Sequence, residues 1–397
     1  MSADLAALRA RLAELGAKHA RQRPQAKVVL PRFQAEAEET PLGPALVRHE
    51  WLKPDGSRGT LALARCLQLD PASLHEPLFL DTETTGLSGG TGVVPFLVGL
   101  ARYEDGRIHL AQYFLTDMDQ EPALLWAVGQ WVHRAGCLVT YNGRTFDWPL
   151  IQTRLIMRRV RPAWEVAAHL DLLHLARRIY KPRLPDCALQ TIEQDVLELH
   201  REEDIPGWMI PGRYFAWLRG ASAELIEPIF AHNRQDVLSM ARLIDRFERI
   251  LEDGGELDPL DRFGRARFLQ ARGFHDEAVQ EYRHLWQAGM PGAHRGAVGL
   301  RLARLLRRRG RWQEAQEVLA ECWRTQCHPY PAAIELAKLL EHQARDPVAA
   351  LRVVAEALDL LTMAVITEDR WRIELERRRL RLDKRVARIG RELALTG

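Results

Sequence analysis

The stretch FLDTETTG, residues 79–86, decides the fold. It closes an apolar run, PLFLDTE (77–83), that reads as a β-strand. Successive side chains of a strand alternate faces, so Asp81 and Glu83, two apart, project from one face where the strand runs out into Gly86. Two carboxylates at the end of an apolar strand are costly without a positive partner. A divalent cation supplies one, and magnesium in particular takes oxygen ligands while keeping several waters. Taken alone, the pair is equally open to a plainer reading as strand-end surface groups.

Working outward, FLVGLARYEDGRIHLAQYFL (96–115) reads as two strands joined at Glu104-Asp105-Gly106, where Asp-Gly suits a tight hairpin. CLVTYN (137–142) is a further short strand. Helical periodicity fills EPALLWAVGQWVHRA, PLIQTRLIMRR, LDLLHLARRIY and PIFAHNRQDVLSMARLIDRFERIL. A meander followed by strands alternating with helices predicts an α/β domain with a mixed sheet flanked by helices, over residues 45–252. Before it, leucines at 5, 8, 12 and 15 mark one amphipathic helix, and the prolines at 24, 31, 41 and 44 punctuate a linker. Residues 1–44 are therefore expected to form an N-terminal helix and an arm on the body.

Two further acidic clusters lie inside the α/β region. In YNGRTFDWPL (141–150), a strand leads into Asn142-Gly143, and Thr145 offers a helix N-cap two residues before Asp147. The plainer reading is that Asp147 favours the helix dipole in the first turn. In AHNRQDV (231–237), His232 and Asp236 are four apart on a helical pattern and so share one face.

The ordered set DTETTG, NGRTFD and HxxxD resembles the three exonuclease motifs of the DEDD (DnaQ-like) 3′ to 5′ exonucleases on a ribonuclease-H-like fold. It is most similar to their YprB-type branch, in which such a domain precedes tetratricopeptide-like helices. TGVVPFLVGLARY, YNGRTFDWPLIQTR and EDIPGWMIPGRYFAWL also look like that branch. The resemblance implies hydrolysis of phosphodiester bonds with two Mg²⁺ or Mn²⁺ ions, ~4 Å apart, held by Asp81, Glu83, Asp147 and Asp236. It implies that His232 orients or deprotonates the attacking water, and an imidazole with an ordinary pKa of about 6.5 suits a base. Members with histidine usually place it five residues before the last aspartate, whereas His232 stands four before Asp236, the spacing of members with tyrosine. That departure leaves the base role open.

For the substrate, Leu87 and Phe146 occupy positions where relatives often wedge or stack on the terminal base, though core residues would look the same, and Asn142 is placed to bond sugar or phosphate, or to cap a turn. Arg144, Lys181 and Arg183 are candidate phosphate partners. Asp171 reads as the N-cap of LLHLARR. GLSGGTG (86–92) lacks the Lys-Ser/Thr of a P-loop and is expected to be a flexible loop at the site. The resemblance implies single-stranded DNA or RNA as substrate. A structure-specific endonuclease, or a scaffold that binds nucleic-acid ends without cutting, remains as an alternative.

After Gly254-Gly255 the pattern becomes helix upon helix. RGFHDEA (272–278), RGRWQEA (309–315) and ARDPVAA (344–350) each put an alanine five positions after a turn residue. Their spacing fits tetratricopeptide-like hairpins, where a small alanine permits close helix contact. Residues 256–397 are expected to form an all-α helical-repeat domain with a basic C-terminal helix, able to dock a protein partner.

Composition narrows the rest. In 397 residues, 47% hydrophobic and 27% charged, the chain is that of folded domains rather than a disordered tail. The longest apolar run, Val93–Ala101, is far short of the roughly 20 residues that span a bilayer. No secretory signal is evident at the N-terminus, and the expectation is a cytoplasmic chain without membrane. Its five cysteines are scattered without a CxxC pair, arguing against a disulfide framework. The net charge of +3 conceals a gathering of arginine in RLARLLRRRGR (301–311) and near the C-terminus, which serves either as solvated helix faces or as a footprint for nucleic acid.

Overall fold

The computed structural model describes residues 33–54, 60–74, 76–86, 91–161, 166, 168–202, 204–254, 256–290, 293–363 and 369–396. The expected N-terminal helix, Leu87 and most of the 86–92 loop lie outside the described residues. The chain divides into two compact units. One holds Asp70–Leu172 and Glu193–Asp245 with the described residues up to Thr60; the other holds Leu61–Leu69, Leu173–Ile192 and the chain from Arg246.

The first unit is built on a seven-stranded sheet: β1 Glu36–Thr40, β2 Gly43–Leu52, β3 Pro77–Thr84, β4 Pro95–Glu104, β5 Arg107–Phe114, β6 Cys137–Thr140 and β7 His169–Asp171. Their order across the sheet is β1-β2-β5-β4-β3-β6-β7. The pairs from β1 to β3 are antiparallel, and β6 and β7 add to β3 in parallel. The Asp-Gly hairpin is realised: Asp105 and Gly106 both have positive φ, as a two-residue turn matching strand twist requires. Helices Glu121–His133 (α1), Asp147–Arg158 (α2), Ile210–Leu218 (α3) and Glu227–Glu252 (α4) follow. Phe96, Phe114, Tyr214 and Phe230 form the aromatic centre of a core continuous from Leu46 through Leu80 to Leu155.

The stretch read as an arm contains β1 and the start of β2. β1 is an edge strand with Glu36 and Glu39 exposed, a charged edge that discourages further pairing. Its place comes from register with β2 and from Tyr113 Oη donating to Glu38, so its own sequence carries almost no apolar pattern.

In the second unit, helices Pro259–Ala271 (α5), His275–Gln287 (α6), Ala293–Arg308 (α7), Trp312–Arg324 (α8), Pro329–His342 (α9) and Pro347–Met363 (α10) form three successive hairpins, and Asp369–Thr396 (α11) closes the series. The three turns recur in detail. Gly273, Gly310 and Arg345 each take positive φ, and the alanine five residues on, Ala278, Ala315 or Ala350, has no exposed surface. This is the helical-repeat architecture the spacing predicts. No described helix is long and apolar enough to cross a membrane, and the five cysteines are free thiols.

Candidate active site

The site assembles where the central strands end. β3 runs through four fully buried residues, Pro77–Leu80, before its polar end at Asp81–Thr84, where the pairing with β4 shifts register at Glu83/Thr84. Next to it, β6 ends at Thr140 and the chain turns sharply: Asn142 has φ 66°, and Gly143 lies so close to Thr140 that a Cβ there would stand 2.5 Å from Thr140 Cβ. Asp147 then opens α2 as its first residue. The N-cap position is Phe146 and carries no side-chain cap bond, so Thr145 is not the cap its sequence suggested. Asp171, which directly precedes its helix, also reaches back across the sheet end. Its carboxylate accepts from the backbone N–H of Asn142 (2.8 Å) and of Arg144 (3.2 Å), pinning the turn before Asp147. α4 supplies His232 and Asp236 from one face.

These elements bring Asp81, Glu83, Asp147, His232 and Asp236 together. His232 Nε2 stands 3.7 Å from Asp236 Oδ2 and 4.0 Å from Glu83 Oε1. Asp81 feels the charges of Asp236 and Asp147, and Glu83 those of Asp81, Asp236 and Asp147. Loss of hydration, followed by this mutual repulsion, raises the Asp81 and Glu83 carboxyls well above the ordinary range. Burial pushes Asp147 up to about 6 against the hydrogen bond from Thr82. Asp236 is also raised by burial, against the opposing charges of His232 and Arg201.

Three side chains that the sequence reading passed over hold this cluster. Arg201 bonds Glu193 (2.5 and 2.8 Å), Asp204 (3.1 Å) and Asp236. Burial disfavours the Arg201 charge, but Glu193 and Asp236 outweigh it and the guanidinium pKa is raised. Asp204 Oδ1 sits 2.7 Å from His232 Nδ1. The Arg201 guanidinium also stands 3.3 Å from Nδ1, but the nearer Asp204 carboxylate only accepts, so in the neutral ring the proton is assigned to Nδ1 and Nε2 is left as the acceptor on the side of Glu83 and Asp236. Asn233 Nδ2 donates to Asp81 Oδ2 at 2.8 Å. Arg201 and Asp204 lie in LHREEDIP, an ordinary charged stretch by composition, and only the fold brings it to α4.

The remaining candidates are placed as follows. Arg144 is exposed, with its backbone N–H on Asp171. Phe146 keeps 52% of its surface exposed immediately before Asp147. Asn142 holds the left-handed turn. Lys181 and Arg183 belong to the second unit, where Lys181 donates to Pro185 O and Arg183 pairs with Asp261.

The donor set suits a divalent cation in kind: hard, anionic oxygens, crowded and short of positive charge. Among the described residues no three His, Cys, Asp or Glu side chains already stand as a metal shell. Repelling carboxylates turn to whatever donor is near, here Asn233 for Asp81, Thr82 for Asp147 and Arg201 for Asp236. A cation would convert that repulsion into attraction.

Comparison with known proteins agrees with this fold. A family model described as RNase_H superfamily matches residues 78–248, and one described as Tetratrico peptide repeat matches 259–365. A Bacillus subtilis (strain 168) protein named "Uncharacterized protein YprB" is 34% identical over 286 residues, which is 70% of this chain and 68% of the relative. The first match supports a nucleic-acid hydrolase, and the second supports protein interaction through the repeats. The chain thus belongs to the family of the B. subtilis YprB protein, and in this chain an RNase H-like region precedes tetratricopeptide repeats.

Proposed function

We propose that the protein is a metal-dependent nuclease of the DEDD type that removes nucleotides from the 3′ end of single-stranded DNA or RNA. The observation that carries this reading is the convergence of Asp81, Glu83, Asp147 and Asp236 with a histidine whose orientation Asp204 fixes. In this reading the four carboxylates hold two Mg²⁺ or Mn²⁺ ions, which when bound lower the pKa of water and stabilise the leaving oxygen. His232, held through Nδ1, presents Nε2 to accept the proton of the attacking water. Four-residue spacing is compatible with that role, because one helical turn keeps His232 and Asp236 on one face and within 3.7 Å. Phe146 offers a ring on which the terminal base stacks, and Arg144 and Asn142 stand beside it for the phosphate. Leu87 completes the proposed contacts with the terminal base. Residues 45–252 form the catalytic region in this assignment, and 256–397 dock a protein partner in the cytoplasm.

The test is the product pattern from 5′-labelled single-stranded DNA and RNA incubated with the full chain in Mg²⁺ or Mn²⁺. A ladder shortening from the 3′ end, stopped by a blocked 3′ terminus, is expected. Internal cuts that ignore the block would replace the exonuclease by an endonuclease. Tight binding without products would replace it by a scaffold.

A further inference from the structure

Three strands of the sheet place Asp81, Gly99 and Gln112 side by side: Asp81 pairs with Gly99 across β3 and β4, and Gly99 with Gln112 across β4 and β5. Neighbouring strands lie roughly 4.8 Å apart, so Gln112 is two strands from Asp81 and out of direct reach. Asn233 of α4 closes the gap. It lies over Gly99, where an added Cβ would come within 2.2 Å of Asn233 Oδ1. Gly99 is not in the left-handed region, so the space under Asn233, and not the backbone, is what demands glycine here.

The hydrogen bonds fix the direction of both amides. Gln112 Nε2 donates to the carbonyl of Phe230 (2.9 Å) and to Asn233 Oδ1 (2.9 Å). The Phe230 carbonyl can only accept, so the Gln112 group facing it is the NH₂. That NH₂ requires the oxygen of Asn233 to face it, which leaves Asn233 Nδ2 to donate to Asp81 Oδ2 at 2.8 Å. Asn233 is fully buried and Gln112 is 2% exposed, so neither amide has water to turn toward.

We propose that Gln112 and Asn233 are positioning residues that hold one oxygen of Asp81 by a one-way amide relay, leaving the other oxygen to a divalent cation. This rests on the metal-dependent reading of the site and adds to it the part that orients its first ligand. An amide does this without adding charge, whereas a cation at the same place would compete with the metal. Partners of this kind are worth about 10–100-fold in metal affinity when removed.

The experiment is Mn²⁺ titration of the metal-stripped full chain, read by the loss of the free Mn²⁺ electron paramagnetic resonance signal. Gln112→Glu keeps the shape but replaces the donor by an acceptor, which turns the oxygen of Asn233 toward Asp81. Its Mn²⁺ affinity is expected to fall by about tenfold or more. Gly99→Ala displaces Asn233 from the neighbouring strand and is expected to do the same with both amides intact. Asn233→Ala serves if either variant fails to fold by circular dichroism. In nuclease assays the same variants are expected to lower kcat and leave KM for the oligonucleotide unchanged. Wild type binding Mn²⁺ while all folded variants bind it equally well would overturn the relay alone. Wild type that bound no Mn²⁺ would overturn the metal site and the relay with it.

Discussion

Two clusters built on buried carboxylates, one in each unit, answer the charge in opposite ways. In the helical unit, Glu341 is 2% exposed and is met by three arginines of α11: Arg381, Arg385 at 3.2 Å and Arg378 at 3.5 Å. Burial alone would raise its carboxyl, yet the Arg381 bond and charge, with the other cations, carry it below the ordinary range. In the RNase H-like unit, Asp81, Glu83 and Asp147 crowd together, and none forms an ion pair with an arginine or lysine among the described residues; their carboxyls are raised. The first arrangement is self-contained and holds helices together. The second is stable only at the expense of protonation or of an added cation, which is the mark of a functional site.

The largest effect that would sharpen this contrast is on activity. Asp147→Ala and Asp236→Ala are expected to lower nuclease turnover by about 10³-fold or more, since several kcal/mol of charge stabilisation are lost at roughly tenfold per 1.4 kcal/mol. The Tm of the metal-free protein should not fall in Asp147→Ala, because a repelling charge has been removed. A marked drop would mean that this carboxylate is structural, like Glu341. Next comes the histidine: His232→Ala should cost about 10²-fold in kcat, and Asp204→Asn about tenfold, with KM for the oligonucleotide little changed. Equal rates in wild type and His232→Ala would remove the base role.

Glu341→Ala tests the other side. It strips a buried anion from its arginines and is expected to destabilise by about 3 kcal/mol, seen as a lower denaturant midpoint, while Mg²⁺-dependent rates at 25 °C stay unchanged. The smallest effect is on pH dependence. The site carboxyls have folded pKa values above their unfolded ones, Asp147 at about 6, so the folded state holds more protons between pH ~4 and ~6 and is destabilised as pH rises through that window. Metal replaces those protons. The Tm difference between Mg²⁺ and EDTA should therefore widen from pH 4.5 to 7, and a difference that narrowed would contradict the contrast.

What was legible in the sequence had local causes. The strand ending in Asp81 and Glu83, the Asp105-Gly106 hairpin and the recurring turn-to-alanine spacing of Ala278, Ala315 and Ala350 each depend on neighbours within a few residues. The β1–β2 hairpin was missed because β1 is held by sheet register and not by an apolar pattern. The segments 61–69 and 173–192 group with the helices after 246, which a boundary drawn along the chain does not express. Gly99, Gln112 and Asn233 look like unremarkable strand and helix residues until the register sets them in one line. Arg201 and Asp204 act across some thirty positions to reach α4, and Asp171 across a similar span to reach the 142–144 turn.

The most direct test of the central claim is hydrolysis of a labelled single-stranded oligonucleotide by the purified full chain, compared with Asp81→Ala. Nucleotide release by wild type in Mg²⁺ or Mn²⁺, abolished by EDTA and by Asp81→Ala, is the predicted result. Release that persisted in EDTA, or at the wild-type rate in Asp81→Ala, would contradict it.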